Sequence, residues 1–153
     1  MSDGLTLPHR PTAQRRAEIR AAAEDMGIDA AYLSLMVDTF YARIRADARL
    51  GPIFEDAIGD SWEPHLARMK DFWASVALNA GSYSGKPVAV HQKIEGVERA
   101  DFDRWLGLFR GTLQDTAPTA EAVEYLMVRA ERIAHSLSMA MFPHTDTGIP
   151  ALR

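Results

Sequence analysis

Trp62-Glu-Pro-His-Leu-Ala-Arg-Met-Lys-Asp-Phe-Trp-Ala-Ser-Val76 decides the fold class. Leu66, Met69, Phe72, Trp73 and Val76 recur at three- and four-residue steps, the period of a helix with one buried face. Asp60 or Ser61 opens this helix, and Pro64 fits its first turn, where a missing N–H leaves no bond unmade. His65 shares the apolar face, four residues before Met69 and eight before Trp73, so it points inward.

Upstream, Leu33, Met36, Val37, Phe40, Tyr41 and Ile44 form a second, wider stripe, capped by Asp29 and ending near Arg45. An earlier helix runs from a Thr12 cap to Met26 and stops at Gly27. Ala46 to Gly59 holds Gly51-Pro52 and is expected to be a corner with a short helical turn. Downstream, Asn79 to Lys86 is a glycine-bearing loop. Pro87 starts a short helical segment containing Val88, Val90, His91 and Ile94, broken by Gly96. A helix from about Glu98 to Gln114 buries Phe102, Trp105, Phe109 and Leu113. The last one, with Pro118 at its start, buries Leu126, Met127, Ala130, Ile133, Ala134 and Leu137 and runs to Met141, before Pro143. No segment alternates with period two, and no Asn-Gly or Asp-Gly hairpin turn separates apolar runs. The expected fold is all-α.

A length of 153 residues suits one domain, and 47% hydrophobic with 25% charged residues is ordinary globular composition. With no cysteine, disulfide frameworks, thiol nucleophiles, cysteine zinc sites and iron–sulfur clusters are excluded. The net charge of −4 argues against a general nucleic-acid binder. Residues 1–20 carry Arg10, Arg15, Arg16 and Arg20 against Asp3 and Glu18, which is expected to be a solvated helix face. The longest uncharged run, Phe72 to Gly85, is too short and polar to span a bilayer, and no secretory h-region is visible. A cytoplasmic monomer with no membrane or nucleic-acid partner is the expectation.

His65 and His91 both point inward, from elements separated by a loop. Tyr41 and Trp105 are large inward aromatics, each with one polar atom that wants a partner. Four polar tips are unusual for a helical core, where each unsatisfied group costs about 1–3 kcal/mol. Taken singly, each has a plain explanation. A lone inward histidine commonly bonds a backbone carbonyl, and single aromatics are commonly core. His135, beside Glu131 and Arg132, is expected in solvent, as are His9 and His144 in the tails. The combination and its order carry the weight.

That order resembles the truncated haemoglobins, most closely their third group, from about Tyr32 to Met141. The carrying segments are Thr39-Phe-Tyr-Ala-Arg-Ile-Arg, Leu50-Gly-Pro-Ile-Phe, Trp62-Glu-Pro-His, Asp71-Phe-Trp-Ala, Tyr83-Ser-Gly-Lys-Pro followed by His91, and Phe102-Asp-Arg-Trp-Leu. The Gly-Gly pairs of the first two groups are absent. The resemblance implies a globin-like two-over-two helical sandwich over residues 29–142, with a short proximal helix. Residues 1–28 would be an N-terminal helical extension and 143–153 a tail. It implies haem b (iron protoporphyrin IX) as cofactor, with His91 as the proximal iron ligand. Tyr41, His65 and Trp105 would surround a ligand on the distal face, and Phe54 would pack on the porphyrin.

A flat apolar macrocycle needs a slot, for which Phe40, Phe54, Met69, Phe72, Val90, Ile94, Phe102 and Leu137 are the candidates. Arg68 and Lys93 are candidate cations for the propionates. The expected function is binding of dioxygen and other diatomic gases at the iron. Redox chemistry on nitric oxide, peroxide or oxygen, with an unidentified reductant, is expected rather than transport. Nitric oxide dioxygenase and peroxidase-like activities are the enzyme classes in view. The alternative is a haem-free helical sensor or interaction module with structural histidines. A non-haem metal enzyme ranks last, since no Glu-x-x-His motif appears and Glu63 lies only two residues before His65.

Overall fold

A computed structural model describes residues 12–79 and 94–142. Within them the chain forms six helices and no strand: α1 Thr12–Asp25, α2 Ala30–Ala46, α3 Leu50–Ile58, α4 Trp62–Leu78, α5 Ala100–Thr116 and α6 Ala120–Met141. The all-α fold follows from the periodicities. The expected short helix around His91 lies outside the described residues.

Local chemistry sets the joints. Asp29 caps α2 by accepting the Tyr32 N–H at 2.8 Å. Thr119, rather than Pro118, opens α6. Its hydroxyl oxygen accepts the Ala122 N–H at 3.1 Å, and the same hydroxyl donates to Met26 O at 2.8 Å. Gly27 follows α1 with φ +91°, and a Cβ there would meet Pro118 Cγ at 2.5 Å. Glycine is required at that joint for both its backbone and its bulk.

The stretch expected to hold one short turn contains a nine-residue helix, α3. Asp47 makes it possible. Its Oδ2 accepts the N–H groups of Leu50 (2.8 Å) and Arg49 (3.1 Å), two of the donors a helix start leaves unpaired. Pro52 sits in the first turn, where it removes no helical bond.

Helix α2 packs against α3, α4 and α5, and α5 packs against α6. The pairs α2–α4 and α5–α6 thus lie one over the other, also joined by α4 against α6. Helix α1 rests on α4. The core runs through Leu33, Met36, Val37, Phe40 and Ile44 of α2, Phe109 and Leu113 of α5, and Leu126 and Ala130 of α6, all fully or nearly fully buried. Tyr32 ties α2 to α5. Thr116 already donates to Thr112 O at 2.7 Å, so the Tyr32 hydroxyl donates to Thr116 Oγ1 at 2.9 Å. No helix among the described residues is long and apolar enough to cross a membrane.

Candidate functional site

Every helix except α1 contributes to one cavity, with about 1010 Å³ of atom-free space including its mouth. Helix α3 supplies Ile53 and Phe54, α4 supplies His65, Met69, Phe72 and Trp73, and α5 supplies Phe102 and Trp105. Ile94 and Val97 line it from the stretch before α5, and Leu137 and Met141 from α6. The wall is overwhelmingly apolar. That suits a large, flat, apolar guest, and the residues present fit such a group.

Two of the polar side chains adjoin. Tyr41 and His65 meet edge to face, with ring centroids 5.1 Å apart at 85°. Trp105 reaches them through Phe40, whose ring lies 5.2 Å from Tyr41 and 5.4 Å from Trp105. Burial pushes the Tyr41 phenol far above its usual pKa, so it stays a protonated donor. Trp105 N–H can only donate. Among the described residues no side chain or carbonyl hydrogen-bonds to either tip. His65 Nε2 is shielded from solvent within the wall. Trp105 and Trp73 both stack on the Phe109 ring, at 5.8 Å and 5.1 Å, which restrains both indoles.

Of the candidates named from sequence, Tyr41, Phe54, His65, Met69, Phe72, Ile94, Phe102, Trp105 and Leu137 all line this cavity. Phe40 is not among the lining residues. It is 1% exposed and stands one layer behind, packed among Tyr41, Trp105 and Phe109. The helical face that carries Phe40 is wide enough to put Tyr41 at the wall and Phe40 in the core. Arg68 is exposed on α4 and is not part of the lining. His91, Val90 and Lys93 lie outside the described residues. His135 is exposed.

Sequence reading missed the charged frame at the cavity edge. Asp101 lines the cavity, and its carboxylate is gripped by Arg49, Nε to Oδ1 at 2.8 Å and Nη2 to Oδ2 at 2.7 Å. Arg49 Nη2 also donates to Gly96 O at 2.8 Å, and Glu98 N–H donates to Asp101 Oδ2 at 2.8 Å. The guanidinium, and then the backbone N–H, hold the Asp101 carboxyl below the usual carboxylate range despite burial. Beside it Arg104 forks onto Asp47 at 2.7 and 3.0 Å. This bond, with the Leu50 N–H, brings the Asp47 pKa down to about 2. The available signals were the acidic pair Asp101 and Asp103 in the first turn of α5 and the arginine density around the corner. Neither names a partner. Among the described residues no three His, Asp or Glu side chains converge as metal ligands.

Comparison with known proteins gives a consistent outcome. No family model matches the chain. The chain is 31% identical over 115 residues to the group 3 truncated hemoglobin ctb of Campylobacter jejuni, covering 73% of this chain and 90% of that relative. Its fold superposes on the crystal structure of a group III truncated hemoglobin from Campylobacter jejuni with a TM-score of 0.72. That match has 30% sequence identity and covers 76% of this chain and 94% of the other.

Proposed function

The chain belongs to the group 3 truncated haemoglobins, and from that premise we propose that it holds haem b in the cavity described above. It binds dioxygen and other diatomic gases there for redox chemistry rather than transport. One observation carries this reading: Tyr41, His65 and Trp105 share a cavity that is otherwise almost wholly apolar.

Bound haem would supply an iron that takes a diatomic ligand and exchanges electrons. Phe54, Met69, Phe72, Ile94, Phe102 and Leu137 would enclose the macrocycle and exclude water. His91 would give the neutral imidazole on the proximal side, with Val90 beside it. Arg68 and Lys93 remain the proposed propionate partners. Tyr41 and Trp105 hold their protons and present them to a polar ligand. One charge-assisted bond contributes about 1.5–3 kcal/mol, or roughly ten- to hundredfold in affinity or off-rate. Two such donors slow release, which favours conversion of nitric oxide, peroxide or oxygen over delivery. The reductant is a partner this reading requires.

The test is an absorption spectrum in ferric, ferrous and carbonyl-bound forms, with iron stoichiometry. A Soret band and near-equimolar iron are expected. A colourless protein that cannot be reconstituted with haem overturns the reading in favour of a haem-free helical module.

A further inference from the structure

Helix α4 starts without a side-chain cap, since Ser61 makes no capping bond. A triangle of side chains from three helices stands at that start instead. Trp62, the first residue of α4, donates its indole N–H to Glu55 Oε1 of α3 at 3.0 Å. The other Glu55 oxygen, Oε2, accepts Arg45 Nε from the last turn of α2 at 2.8 Å. The Arg45 guanidinium carbon then lies 4.3 Å from the Trp62 ring centroid, a cation–π contact that closes the triangle. Each member touches both others.

The triangle bears on the cavity through Trp62. That indole is 8% exposed and meets the His65 ring edge to face, at 5.8 Å and 89°. It also meets Tyr41 at 6.1 Å. His65 is therefore flanked by Tyr41 on the cavity side and by Trp62 toward the surface pair Arg45 and Glu55. One residue of the triangle shares the first turn of α4 with His65, three positions away, where side chains are neighbours on a helix.

We infer that Arg45, Glu55 and Trp62 form a latch that keeps the His65 ring turned into the cavity. They are positioning residues for ligand entry. This rests on the haem-globin reading, because the entry in question is that of a ligand into the haem cavity. Without the latch, the imidazole loses one flank and can swing outward, which opens the route in. Glu55 lies at the surface, so removing its carboxylate breaks the latch while leaving the core intact.

The experiment is carbon monoxide association to the ferrous protein, in wild type, Glu55→Ala, Trp62→Phe, His65→Ala and the two double variants with His65→Ala. Glu55→Ala and Trp62→Phe are each expected to speed association about tenfold, the factor given by loss of one charge-assisted hydrogen bond. In the His65→Ala background neither change should add anything, because the latch acts only through that ring. Association slower than wild type, or no more than twofold faster, in both haem-replete single variants overturns the latch. So does an equal effect with and without His65. A second readout needs no haem: the His65 ring signals by NMR in the protein as purified should shift and broaden in both single variants. If the wild type carries no haem, the haem reading has failed and this arm decides alone. Unchanged ring signals then overturn the latch, and altered ones sustain it as a property of the fold.

Discussion

Arg49 and Asp101, one before α3 and the other in the first turn of α5, join through two parallel N–H to oxygen bonds of 2.8 and 2.7 Å. The same guanidinium holds Gly96 O. One arginine thus ties the corner of the fold to the stretch that leads from His91 into α5. Arg49→Ala leaves the Asp101 carboxylate, only 10% exposed, without its counter-charge. The melting temperature of the variant should fall by about 5 °C, and haem should pass faster to an excess of an acceptor globin. Melting and haem-transfer rates equal to wild type would rule out a structural role for the clamp.

Asp47 gives a pH signature. Its folded pKa of about 2 lies below the ordinary carboxylate value, chiefly because Arg104 bonds it and the Leu50 N–H adds to that. A depressed folded pKa gives stability that is fully present above the unfolded value, near 4, and is lost as pH falls through about 2. Stability should be flat near neutrality and decline between about pH 4 and pH 2. Asp47→Ala should cost about 1–2 kcal/mol at pH 7 through the lost cap and flatten that acid slope. Chemical denaturation at several pH values checks both.

Gly27→Ala should destabilise by at least about 1 kcal/mol, since it combines a positive φ with a clash on Pro118. An unchanged urea midpoint would contradict the close packing of the α1–α2 joint against the start of α6.

His91→Ala should lose stable haem, seen as a missing Soret band in a protein that keeps its helical circular dichroism. Normal haem content after this change would refute His91 as the proximal ligand.

Tyr41→Phe should speed oxygen dissociation roughly ten- to hundredfold by removing one donor. Stopped-flow rates equal to wild type would exclude Tyr41 as a dominant contact with the ligand.

Much of this was legible in the chain. The three- and four-residue spacing of Leu33 to Ile44 and of Leu66 to Val76 predicted α2 and α4. Asp29 and Gly27 predicted where helices begin and stop. His65, Tyr41 and Trp105 read as inward polar tips, and all three meet at the cavity. That Phe40 stands behind the lining was not legible, because a helical face shows that a residue is buried without showing which layer it reaches. The helix at Leu50–Ile58 was underestimated because its cap, Asp47, lies three residues back and also serves Arg104, 57 residues away.

By itself, then, the sequence determined the helical class, the buried faces and the chemistry available inside, because periodicity and capping are local properties of the chain. Only the tertiary structure decided which tips share a cavity. It alone showed that Phe40 stands behind the wall, that Arg49 grips Asp101 and that Trp62 leans on His65. The reason is physical. An ion pair or an aromatic contact forms wherever packing brings two groups together, and the 52 residues between Arg49 and Asp101 carry no local signal of that meeting.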